Sequence, residues 1–205
     1  MIEHAMAALS LITEADHYLL TDAESAAVLA PVAESWDFGV LEGPKDDVLR
    51  RYAMMAEARG AEVLVRATGD NPLVSPKMVG KAIKLLDTAE ADLAAFDNLP
   101  LGTGVEVIRA SALLRANKEA TARDEREHVT LHLYRNPDRY RIDRRPAPGY
   151  ASMPEGRVTL DTEEDYLRLS ELFDRIYRGR PPEIEEVIAE LRAPAKSKEE
   201  APCRR

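Results

Sequence analysis

Apolar residues along the chain recur with two different periods, and the two alternate. Ile2, Met6, Leu9 and Ile12 fall at helical spacing, and the run HYLLT at 17–21 then reads as a buried strand. FGVLEG at 38–43 predicts a second strand. Asp46 or Asp47 is placed to cap a helix whose apolar face is Val48, Tyr52 and Met55 and whose stop is Gly60. EVLVRA at 62–67 predicts a third strand, which a tight turn follows. Ser75 and Pro76 form a cap and first-turn pair for a helix carrying Val79, Ile83 and Leu86. DLAAF and GVEVI are two further strand candidates.

The second half continues the pattern. From Asp124 to about Arg135 the spacing is helical, Asn136-Pro137 ends it, and the proline-rich stretch at 146–154 reads as a loop. RVTL at 157–160 predicts a short strand feeding a helix with the stripe Leu169, Leu172, Phe173 and Ile176, and Thr162 with Asp165 resembles a capping box. A last helix carries Ile184, Val187, Ile188 and Leu191. This places one domain at 1–192, and the segment APAKSKEEAPCRR, 193–205, lacks an apolar period and predicts a disordered tail. Strands alternating with helices predict an α/β fold with a mostly parallel sheet covered on both faces, where ligands sit at the carboxyl ends of strands.

Composition narrows the partners. A chain of 205 residues supports one good core, and a net charge of −9 argues against nucleic acid as the main partner, because phosphate contacts need clustered Lys and Arg. The lone cysteine, Cys203, supports neither a disulfide framework nor a cysteine zinc site, which suits a reducing, cytoplasmic location. No apolar run approaches a membrane span, and the residues after Met1 lack the pattern of a signal peptide.

Two carboxylates stand where a ligand would sit. Asp70 follows the third predicted strand in RATGDNPLVSP, and Asp161 follows RVTL. Together they could hold one magnesium ion, which prefers oxygen ligands and shares them with substrate phosphates. The structural alternatives are equally concrete: Asp before Asn-Pro is common turn chemistry, and Asp161 could begin a helix. His128 and His132, spaced i, i+4 on one predicted helix, would share a face, but no third ligand or HExxH order accompanies them. ARDEREH reads as a solvated helix face, and Met54, Met55 and Met78 suit core packing.

Five ordered motifs add a resemblance. GPKDDVLRRY, VRATGDNPL, GTGVEVIRASAL, EREHVTLHLYRNPDRYRI and RVTLDTEEDY make the chain, from Met1 to about Arg178, similar to cytidylyltransferases of the spore-coat polysaccharide type. These are kin of the acylneuraminate and deoxy-octulosonate enzymes. The resemblance implies a three-layer nucleotidyltransferase fold, a Rossmann-like sheet with helices on both faces. It implies attack of a sugar hydroxyl on the α-phosphorus of CTP with release of pyrophosphate, and a homodimer. By motif it assigns Asp70 and Asp161 as magnesium ligands and catalytic residues. It puts Arg66, Asn71, Glu106 and His128 on the substrate side.

The chain also departs from that family. Members begin with a strand and a loop of the kind ARxxSxRLPGK that binds the triphosphate, whereas Met1-Ile2-Glu3-His4 matches a later, internal segment. Gly102 and Gly104 are too sparse to replace a phosphate cradle. In this fold the first strand is central, so its neighbours would lose ladder partners, at about 1–3 kcal/mol for each buried unsatisfied group. Three outcomes are open: Met1 is internal to a longer active protein, the sheet of a degenerate homologue closes over the gap, or another chain supplies the strand. The alternative function is accordingly a catalytically inactive relative that binds a sugar or a partner protein.

Overall fold

The computed structural model describes residues 1–193. The elements, in order, are α1 (Ile2–Leu9), β1 (Tyr18–Thr21), α2 (Ala23–Ser35), β2 (Gly39–Glu42), α3 (Val48–Arg59), β3 (Val63–Arg66), α4 (Pro76–Thr88) and β4 (Leu93–Asp97). There follow β5 (Glu106–Arg109), α5 (Ala110–Glu119), α6 (Arg123–Glu127), α7 (Leu131–Arg135), β6 (Ile142–Pro146), α8 (Glu163–Ile176) and α9 (Ile184–Arg192). The expected tail, beyond Ala193, lies outside the described residues.

Local chemistry sets the boundaries. Asp47, of the two candidates, caps α3 by accepting the Arg50 amide, and Gly60 ends that helix in the left-handed region at φ 61°. Ser75 caps α4 with Pro76 in its first turn. Thr162 and Asp165 form the reciprocal capping box of α8.

The expected, mostly parallel sheet is corrected in two ways. First, among the described residues the strands form two sheets: β1 pairs β2 in parallel, and a separate sheet has the order β3-β5-β4-β6. Second, the larger sheet is mixed, with β5 antiparallel to both β3 and β4 while β6 runs parallel to β4. The reason lies in the connection. Only residues 98–105 join β4 to β5, short of the dozen or so that a parallel crossover needs, so the chain turns back.

Three local expectations also change. RVTL is not a sheet strand: Arg157 makes a single bridge to Leu101, and the Val158 and Leu160 amides donate to the Leu101 and Asp70 carbonyls. The helix expected at 124–135 is broken into α6 and α7 at His128–Thr130, where buried Val129 turns into the core with Leu133. The break separates the two histidines. His128 is exposed at the end of α6, while His132 is buried, its Nδ1 3.0 Å from Glu125 and its Nε2 3.4 Å from Glu119, which leaves no shared histidine face.

Apolar layers cover both sides of the larger sheet. On one face α4, through Val79, Ala82 and Leu86, packs with Ala5 and Ala8 of α1 against Val107 and Ala94. On the other, Leu113 and Ala116 of α5 pack with Leu49 and Ala53 of α3 against Leu93 and Ile108. The alternation of Ala94 and Val107 with Leu93 and Ile108 is the period-two pleat of a sheet buried on both sides.

The α8 cap generates a pH test. The Arg168 guanidinium, with the Asp161 and Thr162 amides, holds the Asp165 carboxyl down from 3.8 to about 2. A depressed carboxyl contributes its stabilisation fully above about pH 4 and loses it as pH falls through the folded value. Asp165→Asn is expected to lower the denaturation midpoint at neutral pH and to converge on the parent toward about pH 2. A pH series of unfolding curves checks this, and a gap independent of pH would assign the effect to something other than the charge.

Candidate active site

β5 inverts what it carries. Because β3, β4 and β6 share one direction, their carboxyl ends lie together, and the antiparallel β5 brings its first residue, Glu106, to that same end. Glu106 stands in register with Arg66 of β3 and Ala95 of β4. A cleft of about 460 Å³ opens there, lined by Arg66, Asp70 and Asn71, the 95–102 segment, Glu106, Arg144 and Thr159. A second hollow of about 410 Å³, between Leu11, Pro76 and Pro181–Glu183, has no comparable convergence of polar groups.

The cleft floor is a continuous polar chain. Glu106 accepts from Arg66 at 3.0 Å, from the Thr130 hydroxyl at 2.9 Å and from the Tyr134 hydroxyl at 2.8 Å. Arg144 donates to the Tyr134 oxygen at 3.3 Å and pairs with Asp97. Thr130, the N-cap of α7, and Tyr134 within that helix stand at i, i+4 and so reach one carboxylate. Burial, then the adjacent Glu106 charge, pushes the Tyr134 phenol well above its usual range.

The two expected metal ligands sit on adjoining segments. The Leu160 amide donates to the Asp70 carbonyl at 2.9 Å, and this ties the 157–161 stretch to the turn after β3. Thr68 donates to one Asp70 oxygen. One Asp161 oxygen accepts from Thr159 at 2.9 Å and from Arg157, and the Asp161 amide donates to Asp165, so the α8 cap fixes this residue's backbone. Asn71, part-buried in the cleft wall, has an Oδ1 atom that is buried without a partner.

The structure therefore brings Arg66, Asp70, Asn71 and Glu106 into one cleft, with Asp161 next to it through Thr159. His128 is not among the lining residues. The α6–α7 break turns Thr130, two positions on, toward Glu106 instead. Asp97, Thr130, Tyr134, Arg144 and Thr159 escaped the sequence reading. The i, i+4 spacing of Thr130 and Tyr134 was a usable signal, whereas Arg144 lies on a strand with no apolar period.

Residues 1–194 match the family model described as cytidylyltransferase. The chain belongs to the cytidylyltransferase family. The spore coat polysaccharide biosynthesis protein SpsF of Bacillus subtilis is 32% identical over 165 residues, covering 80% of this chain and 68% of that protein. The uncharacterized protein MJ1063 of Methanocaldococcus jannaschii is 34% identical over 151 residues, 72% of this chain and 62% of that one. The chain thus spans about two thirds of the length of these curated relatives. A solved cytidylyltransferase from Leptospira borgpetersenii superposes with a TM-score of 0.76 at 21% identity, over 84% of this chain and 74% of that one. The α/β fold of this chain is therefore the nucleotidyltransferase one. No helix among the described residues is long and apolar enough to cross a membrane.

The Glu106 contact gives a spectroscopic prediction for the cleft. Glu106→Gln removes the charge that opposes phenolate formation, so the Tyr134 phenol is expected to ionise at lower pH than in the parent, though still above the ordinary value because burial persists. Ultraviolet titration, with Tyr134→Phe to assign the signal, reads the shift, and coincident curves would show that the carboxylate does not govern the phenol.

Proposed function

We propose that this chain carries the cleft of a sugar cytidylyltransferase, which transfers CMP from CTP to a sugar and releases pyrophosphate. The observation that carries the reading is the meeting of Asp70, Asn71, Glu106 and Arg66 in one cleft at the carboxyl ends of the strands, with Asp161 tethered beside it. In the proposed reaction a sugar hydroxyl oxygen forms a bond to the α-phosphorus. The bond from that phosphorus to the oxygen bridging toward the β-phosphate breaks, pyrophosphate leaves with the electron pair, and the hydroxyl proton is released.

Magnesium fits the residues present. Each of Asp70 and Asp161 has one carboxylate oxygen engaged by neighbouring donors, and its other oxygen makes no hydrogen bond among the described residues. Among the described residues no group of three or more His, Cys, Asp or Glu forms a closed metal cage. Two carboxylates with room for water and phosphate oxygens is the donor set that magnesium takes in phosphate chemistry. The ion, when bound, supplies neutralisation of phosphate charge.

The remaining side chains have separable parts. Glu106 accepts three hydrogen bonds and so orients Arg66, Thr130 and Tyr134 rather than taking a proton. Asn71 offers an unused buried acceptor, suited to a hydroxyl or amino donor of the substrate. A role for SpsF-like polysaccharide precursors, a homodimer and a cytoplasmic setting belong to the same proposal.

A second reading, a catalytically inactive sugar or protein binder, has one observation in its favour. Arg66 and Arg144, the cations lining the cleft, are both held by carboxylates rather than left open to a triphosphate. Calorimetric titration with CTP and magnesium, with ATP as control, separates the two. The catalytic reading expects magnesium-dependent binding selective for CTP, lost at least about tenfold in Asp70→Asn and in Asp161→Asn, a change of about 1.4 kcal/mol or more. Binding that is unchanged in both variants would remove the metal assignment, and sugar binding without any CTP binding would favour the inactive relative.

A further inference from the structure

Helix α7 is too short to hold its own place. It has five residues, and isolated helices well under about a dozen residues do not persist in water, so its contacts decide where it sits. Its N-cap residue, Thr130, makes no side-chain capping bond, because the hydroxyl goes to Glu106 in the cleft. Tyr134, one turn on, reaches the same carboxylate. His132 lies between them in sequence and half a turn away, and it meets a different pair of carboxylates.

That second contact is a buried ionic bridge. The His132 ring is buried, with Nδ1 3.0 Å from Glu125 of α6 and Nε2 3.4 Å from Glu119 at the end of α5. A neutral imidazole has one N–H and one lone pair, so it donates to only one of two ionised carboxylates, whereas the imidazolium donates to both. Burial pushes the Glu119 carboxyl up, but bonds from the Tyr140 hydroxyl and His132, with the Arg139 charge, hold it below the usual carboxylate range. Glu119 is therefore an acceptor toward the ring.

The other charged groups here belong to the two carboxylates. Glu125 faces Arg135 of α7 at 3.5 Å, and Glu119 accepts from Arg139 at 2.7 Å and from the Tyr140 hydroxyl at 3.1 Å. The Tyr140 ring meets His132 edge-on, and Arg115 of α5 stacks on that ring's face. Arg126 of α6 pairs with Asp47 of α3, and Asp124 pairs with Arg135. Among the described residues no group of three His, Cys, Asp or Glu could hold a metal ion, so the bridge is not a metal site.

We propose that His132 is a positioning residue of the cleft: as an imidazolium bridging Glu119 and Glu125, it seats α7 and thereby holds Thr130 and Tyr134 on Glu106. Loss of one ring proton turns a lone pair toward a carboxylate oxygen in a buried place, where such an encounter is costly. Val129 and Leu133 keep α7 in the core, so the helix shifts in its seat rather than unfolding. Histidine is the side chain that changes charge between about pH 5 and 8. The bridge is complete at the acid end of that range and is lost as the ring gives up its proton. The consequence for CTP rests on the reading of the cleft given above, whereas the state of the ring and of α7 does not.

Nitrogen-resolved NMR of the histidine rings, on the full chain without nucleotide or metal, tests the bridge. His132→Gln assigns the His132 signals among the four histidines. Should that variant not fold, replacing His4, His17 and His128 in turn assigns the ring by elimination. Both ring nitrogens of His132 are expected to carry protons sheltered from exchange at about pH 5, and the Thr130 and Tyr134 amide signals are expected to move with the ring's midpoint as pH rises. Glu125→Gln is expected to lower that midpoint by about one unit or more, because a neutral amide no longer favours the charged ring. Thr130→Val separates positioning from charge, since it alters no charge: by reciprocity, loosening α7 at its Glu106 end lowers the proton affinity of His132 at least about twofold. With CTP and magnesium added, affinity is expected to fall above the midpoint, in a step that moves with the ring in Glu125→Gln. A complete lack of CTP binding would count against the reading of the cleft, and the ring signals would still decide the bridge. Three results would overturn the proposal: one ring nitrogen without a proton at the acid end, Thr130 and Tyr134 signals that ignore the ring's transition, or a midpoint unchanged by Thr130→Val.

Discussion

The direction of β5 is the constraint on which the site depends. Eight residues are fewer than the dozen or so that a parallel crossover over the sheet takes, and β5 returns antiparallel and inserts between β3 and β4. That return lands Glu106 beside Arg66, at the end of the sheet where the turn carrying Asp70 and Asn71 also lies. In a wholly parallel sheet the same residue would open its strand at the far end, away from the cleft.

Glu106 then organises what surrounds it. One carboxylate receives donors from β3 and from two positions of α7, and through Tyr134 and Arg144 the chain of contacts extends to β6 and Asp97. The partners are only partly exposed, which strengthens charge-assisted hydrogen bonds relative to surface pairs. The α6–α7 break belongs to this arrangement: it buries Val129 and turns Thr130 inward, and an unbroken helix would have satisfied neither.

How much of this was legible in the sequence varies by residue. The caps at Asp47, Ser75 and Thr162 and the stop at Gly60 were readable because they act within four residues of chain. Helix α2 was not read, since Pro31 sits inside it and Val28 faces solvent, so its apolar period is faint. Strand β6 was missed because IDRRP is an edge strand with three exposed residues and no alternation. For the site, the sequence singled out Asp70, Asp161, Arg66, Asn71 and Glu106 through their motifs. The motif resemblance points to His128 and not to Thr130, because a motif names residues without the bend at 128–130 that turns Thr130 inward.

Sequence alone determined the short-range facts: most element types, the caps, the family motifs, and which side chains have the chemistry to hold a cation or a substrate hydroxyl. These follow from backbone preferences and side-chain chemistry that operate over a few residues. Tertiary structure decided which of those residues meet. Strand direction, the bend at His128–Thr130, and the separation of β1 from β3 all arise from pairings between segments tens of residues apart. Such pairings are settled by connection length and by competition for burial, neither of which a local pattern encodes.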